Sequence, residues 1–124
     1  MQILIIEDFE GDIELLVSRL KAIGCGVLVA RNAEDGLRMA KTEKPALILT
    51  DLNLGAGIEE GIEMISDLRA DPETASIPLI IHSVFVSRSG DMGLASAQAD
   101  GFLPKPYKFM DLAKLVQKLA PSEA

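Results

Sequence analysis

Leu47-Ile48-Leu49-Thr50-Asp51 decides how this chain folds and where its chemistry gathers. A short apolar run, with Pro45 before it and a carboxylate directly after it, reads as a strand buried on both faces. Other runs have the same form: Ile3-Leu4-Ile5-Ile6 ends in Glu7-Asp8, Leu79-Ile80-Ile81-His82 in Ser83, and Gly101-Phe102-Leu103-Pro104 in Lys105. Runs of this kind, separated by helix-like stretches, belong to a parallel sheet. In an open parallel sheet, chemistry lies outside the carboxyl ends of the strands. The carboxylates of Glu7, Asp8 and Asp51, the Ser83 hydroxyl and the Lys105 ammonium are thus expected along one edge. That set suits phosphoryl transfer with a divalent metal better than a core with stray polar groups.

Working outward, strands and helices alternate. Ile13, Leu16, Val17, Leu20 and Ile23 recur at helical spacing after the first strand, and Gly24 is placed to cap that helix. Val27-Leu28-Val29-Ala30 forms a second strand, and Asn32 caps a helix running to about Glu43 with Leu37 and Ala40 inward. A glycine-rich loop over residues 55–61 leads to a helix carrying Ile62, Ile65 and Leu68, which Asp71-Pro72 ends. Pro78 opens the fourth strand. A helix over residues 87–99 is the least convincing, since Gly90 and Gly93 each disfavour it by about 1 kcal/mol relative to Ala. The last helix carries Leu112, Leu115, Val116 and Leu119, with Pro121 as its stop. Order and period together specify an α/β fold of about five parallel strands with right-handed crossovers.

The 124 residues make one domain, residues 1–124, large enough for a single core without disulfides. With 48% hydrophobic and 25% charged residues the chain is globular. A net charge of −7 argues against nucleic acid or an anionic membrane as direct partners. Glu7, Asp8, Glu10, Asp12 and Glu14 concentrate that acidity around the first turn and helix. No apolar stretch approaches the roughly 20 residues that span a bilayer. The first apolar run lacks the basic flank of a signal peptide. Cys25 is the only cysteine, which fits a cytoplasmic location.

Adjacent carboxylates repel, so Glu7 and Asp8 beside Asp51 make sense with a cation between them, and Mg²⁺ takes hard oxygen ligands. A solvated acidic turn is the plainer alternative for Glu7 and Asp8 taken alone. Asp51, at the end of a buried strand, is a candidate nucleophile toward phosphorus. Ser83 is placed to hydrogen-bond a phosphoryl oxygen and Lys105 to neutralise charge as phosphate arrives. His82 alternates with Ser83 and should point away from the site in a structural role. A cis Lys105-Pro106 bond is expected, because prolyl bonds carry a cis penalty of only about 0.5–1 kcal/mol.

Ile5-Ile6-Glu7-Asp8, Leu49-Thr50-Asp51-Leu52-Asn53-Leu54, Pro78-Leu79-Ile80-Ile81-His82-Ser83 and Ala99-Asp100-Gly101-Phe102-Leu103-Pro104-Lys105-Pro106, in that order, resemble the receiver domain of two-component response regulators. The resemblance covers essentially the whole chain. It implies a flavodoxin-like doubly wound sheet, (βα)5, of order 2-1-3-4-5, and Mg²⁺-dependent phosphorylation of Asp51 by a histidine kinase or histidine phosphotransfer protein. It further implies Glu7, Asp8, Asp51 and the main-chain carbonyl of Asn53 as metal ligands, Ser83 as the switch hydroxyl, Phe102 as the rotating aromatic, and Lys105 as the family's site lysine. Output would then pass to a downstream target protein through the surface over residues 88–119. Because the sequence stops about one turn after its last helix, no output domain is expected.

The chain departs from that pattern in places. A proline usually stands at Gly55, and the loop over residues 55–61 is longer than usual. Val84 and Phe85 put bulk after the switch hydroxyl, and Gln98 replaces a frequent glycine. Other functions on this fold fit less well. A metal-dependent phosphatase with an aspartyl nucleophile would resemble a pattern with a second aspartate at Asn53. A flavin or nucleotide carrier would want amides and hydroxyls after the first strand, where Glu7-Asp8-Phe9-Glu10 would repel phosphate.

Overall fold

A computed structural model describes residues 1–54, 57–83 and 98–120. Its elements are β1 (Gln2–Ile6), α1 (Glu10–Ala22), β2 (Gly26–Ala30), α2 (Ala33–Glu43), β3 (Leu47–Thr50), α3 (Glu59–Ala70), β4 (Leu79–Ser83), β5 (Gly101–Pro104) and α4 (Phe109–Leu119). The strands form one sheet in the order β2-β1-β3-β4-β5, every pair parallel. This is the doubly wound topology expected from the alternation of elements. Most of the weak helix expected over residues 87–99, with Gly90 and Gly93, lies outside the described residues, as do Gly55, Val84, Phe85 and Pro121.

Side chains alternate along each strand and so divide the core in two. Ile3, Ile5, Leu47, Leu49, Ile80 and Leu103 face Leu16 and Leu20 of α1 and Leu112 and Val116 of α4. Leu4, Ile6, Ile48, Leu79 and Ile81 face Ala40 of α2 and Met64, Ile65 and Leu68 of α3. Burial on both faces explains why the central strands show continuous apolar runs instead of alternation. Cys25 is buried in the first of these clusters, consistent with a packing role.

Local signals set the ends. The Asn32 side chain accepts a hydrogen bond from the Asp35 N–H at 2.8 Å, closing the first turn of α2. Gly24 takes φ +88°, a left-handed conformation suited to glycine, and turns the chain from α1 into β2. Gly61 is required for a different reason. A methyl group there would fall 2.6 Å from Leu52 Cα and nearer still to the Leu52 carbonyl oxygen. Only glycine lets the first turn of α3 rest on the backbone that follows β3.

One arginine ties the far side of the sheet together. Arg69, near the end of α3, donates to the carbonyls of Ala75 (2.9 Å), Ile77 (2.7 Å) and Gln98 (2.8 Å) and to Asp100 Oδ2 (2.9 Å). Asp100 Oδ2 also accepts from the Leu79 N–H at 2.9 Å. The approach to β4 and the approach to β5 are thereby held by one guanidinium, whose planar fork of donors suits several acceptors at once.

Candidate functional site

The register of the sheet brings distant residues to one edge. Ile6 of β1 stands beside Thr50 of β3, so Glu7 and Asp51 leave their strands side by side. The Asp51 N–H donates to the Ile6 carbonyl and the Glu7 N–H to the Ala30 carbonyl, each at 3.0 Å, which extends the ladder to these residues. Ser83 ends β4 opposite Pro104 of β5, and the Lys105 N–H donates to the Ser83 carbonyl at 3.2 Å. The Lys105-Pro106 peptide is cis, as expected.

The Lys105 ammonium is the centre of the site. Its Nζ donates to Asp12 Oδ2 at 2.7 Å, Asp51 Oδ2 at 2.9 Å and Glu7 Oε1 at 3.0 Å. The other oxygen of Asp51, Oδ1, accepts from the Asn53 N–H at 3.1 Å. Glu7 is 1% exposed, and its pKa is pushed up to about 9, first by burial and then by the neighbouring Asp12 and Asp51, with Lys105 opposing. Burial also pushes Asp12 upward, but the hydrogen bond from Lys105 and the neighbouring Glu7 outweigh it and hold that carboxyl below its ordinary value. Lys105 is held charged: burial opposes this, and its bonds to Asp12 and Asp51 overcome the opposition.

The structure brings Glu7, Asp51 and Lys105 together as the strand ends require. Ser83 is fully buried at the neighbouring strand end. Phe102, half-buried in β5 beside Ile81, packs against the core on the α2 and α3 side of the sheet. Asp8 is exposed, and the third carboxylate at the ammonium is Asp12 from the first turn of α1. Sequence reasoning counted Asp12 in the local acidity but gave it no role. Asp12 reaches the ammonium from the first turn of α1, a contact that its spacing in the sequence does not mark. His82 does point to the other face, where its ring meets Tyr107 edge-on at 5.1 Å between centroids.

Among the described residues, no three Asp, Glu, His or Cys side chains stand as a ready cage for a metal ion. The Lys105 ammonium lies where the carboxylates of Glu7, Asp12 and Asp51 meet. The donor chemistry nevertheless fits a hard cation. Glu7 Oε2 is buried with no hydrogen-bond partner, and an orphaned carboxyl oxygen next to Asp51 is one that such an ion would satisfy. No helix among the described residues is long and apolar enough to cross a membrane.

Comparison with known proteins agrees with this geometry. The transcriptional regulatory protein KdpE of the Escherichia coli K12 KDP operon is 36% identical over 110 residues, covering 89% of this chain and 47% of KdpE. The chain thus spans about half the length of that relative. Protein PilH of Pseudomonas aeruginosa is 30% identical over 115 residues, covering 93% of each. Among solved structures, the receiver domain of a signal transduction histidine kinase from Syntrophus aciditrophicus superposes with TM-score 0.84 at 28% identity, over 95% of this chain and 88% of that one. The receiver domain of the sensor histidine kinase PA1611 from Pseudomonas aeruginosa PAO1 shares the fold, with TM-score 0.86 at 21% identity over 95% of each chain. That structure has a magnesium ion coordinated in its active site cleft. The profile of the response regulator receiver domain matches residues 3–117, and the chain belongs to that family, the regulatory switch module of two-component signalling.

Proposed function

We propose that this chain is a phosphoacceptor switch in which Asp51 takes a phosphoryl group, with Mg²⁺, from a histidine kinase or histidine phosphotransfer protein. The observation that carries the reading is the setting of Asp51. Its side chain is 9% exposed at the end of a central strand, with Oδ1 held by the Asn53 N–H and Oδ2 by Lys105. A carboxylate fixed in this way is oriented for attack and shielded from competing water. In the transfer, an Asp51 oxygen forms the new O–P bond as the P–N bond of a phosphohistidine breaks. The electron pair returns to the imidazole nitrogen. Lys105 offsets the negative charge that accumulates on the phosphoryl oxygens.

Glu7, Asp8, Asp51 and the main-chain carbonyl of Asn53 are the residues that would hold Mg²⁺, supported by the orphaned Glu7 Oε2 and by the magnesium in the PA1611 receiver. The bound ion would supply positive charge against the transferring group. Ser83 would then turn its hydroxyl to a phosphoryl oxygen, and Phe102 would rotate inward as space opens. Phe102 lines a cavity of about 430 Å³ between β5 and α4, together with Lys108, Asp111, Lys114 and Lys118. A downstream protein reading this face would therefore sense the Phe102 rotamer directly. The matched region makes up 47% of KdpE and 93% of PilH.

The test is intact mass after exposure to acetyl phosphate and Mg²⁺. Wild type should gain one phosphoryl group, lose the gain when Mg²⁺ is chelated, and show none in Asp51→Asn. An equal gain in Asp51→Asn would place the acceptor elsewhere.

A further inference from the structure

We propose that Asp12 is a positioning residue for phosphoryl transfer: it engages the Lys105 ammonium while Asp51 is unmodified and competes with the phosphoryl group for it afterwards. The inference rests on the phosphoacceptor reading of Asp51. It starts from a count of donors. A lysine ammonium has three N–H groups, and those of Lys105 are taken by Asp12 at 2.7 Å, Asp51 at 2.9 Å and Glu7 at 3.0 Å. A phosphoryl oxygen arriving at Asp51 needs one of them, so one of the present acceptors must yield.

Accessibility identifies which. The Glu7 and Asp51 side chains are 1% and 9% exposed, whereas that of Asp12 is 31% exposed. Releasing Glu7 or Asp51 would strand a buried oxygen, but Asp12 can turn to water. Asp12 also sits in the first turn of α1, where the amino end of the helix favours a carboxylate whether or not Lys105 is attached. Asp12 is therefore the exchangeable ligand of the ammonium, and its bond is the shortest of the set.

Exchange has a consequence for rate. Asp12 and Asp51 bind the same nitrogen, so the Asp12 charge lies within two hydrogen-bond lengths of the nucleophile. It repels an incoming anionic donor and keeps occupied the N–H that the donor needs. Removing that charge without changing shape should raise the second-order rate of phosphorylation by about 3- to 30-fold, from the Coulomb energy of one charge at this range in a partly screened site. The gain should grow with the charge on the donor.

The experiment compares wild type, Asp12→Asn, Asp12→Glu and Asp51→Asn in Mg²⁺ buffer with two donors. With acetyl phosphate, a dianion at neutral pH, an Asp51 oxygen bonds to phosphorus as the bond to the acyl oxygen breaks and acetate departs with the electron pair. With phosphoramidate, which carries less negative charge, the P–N bond breaks and ammonia departs from the already protonated nitrogen. The expected result is a several-fold gain for Asp12→Asn with acetyl phosphate, a smaller gain with phosphoramidate, and a return toward wild-type rates in Asp12→Glu. Equal gains with both donors, no gain, or an Asp12→Glu variant matching Asp12→Asn would overturn the role of Asp12 and leave Asp51 as acceptor. A wild type that takes no phosphate, or an Asp51→Asn variant that does, would overturn the phosphoacceptor reading and this inference with it. The side-chain ammonium signal of Lys105 in ¹H–¹⁵N NMR tests the contact without any phosphate. It should shift and exchange faster in Asp12→Asn, and an unchanged signal overturns the tether by itself.

Discussion

Acidification should weaken this protein through His82, by an amount that follows from the ring's surroundings. The imidazole is 1% exposed in β4, edge-on to Tyr107, and its Nε2 is buried with no hydrogen-bond partner. Burial first, and then the Lys105 ammonium, lower its pKa from 6.5 to about 4, with Asp51 and Asp12 pulling the other way. Arg19, whose guanidinium lies over the Tyr107 ring, adds no negative charge that would rescue the protonated ring. In the unfolded chain the same histidine titrates normally. Between the two values the unfolded state takes up a proton that the folded state refuses. Stability is therefore complete above the unfolded value and falls as pH drops from about 6.5 toward 4. The full shift corresponds to roughly 3 kcal/mol. His82→Leu removes the titration and the unpartnered nitrogen, at the loss of an aromatic edge contact of about 0.5–1.5 kcal/mol. Urea unfolding of both proteins across this range isolates the effect, because carboxylates common to both largely cancel in the difference. That difference should be level above neutrality and move by roughly 3 kcal/mol in favour of the variant by about pH 4. Parallel curves would refute the reasoning, since they would mean that the buried ring accepts a proton as readily as an exposed one.

Gly61→Ala should destabilise by about 2–4 kcal/mol, because the added methyl meets backbone atoms of Leu52 that no rotamer change can clear. Denaturant titration measures this, and a loss below about 0.5 kcal/mol would show that α3 can lift away freely. Arg69→Met keeps the stem but strips the donors from the Ala75, Ile77 and Gln98 carbonyls and from Asp100. A loss of about 2–4 kcal/mol is expected by the same assay, and amide exchange should rise first around Leu79 and Asp100.

Much of the fold was legible because burial on both faces writes itself as continuous apolar runs. Leu47-Ile48-Leu49-Thr50 and Ile3-Leu4-Ile5-Ile6 needed no partner to be read as strands, and Asn32 announced the start of α2 through local capping chemistry. The polar residues at the strand ends were legible for the same reason: once the strands are parallel, Glu7, Asp51, Ser83 and Lys105 have nowhere else to go. Asp12 was not legible as a site residue. Its bond to Lys105 joins residues 93 positions apart and depends on how far α1 tilts over the sheet edge, which no spacing rule encodes. In composition it looked like one more charge on a solvated helix. Arg69 escaped notice in the same way, since its main-chain acceptors leave no trace in residue type and its one carboxylate partner, Asp100, lies far along the chain.

The bare backbone of Gly61 puts α3 in direct touch with Leu52, the residue after Asp51. Pressure across such a contact runs both ways, and thermodynamic linkage makes the exchange symmetrical. If Asp51 is the phosphoacceptor proposed above, a protein that grips α3 and displaces its first turn would shift its phosphorylation equilibrium by some factor. Phosphorylation of Asp51 would then change that protein's affinity by the same factor, although the two never meet.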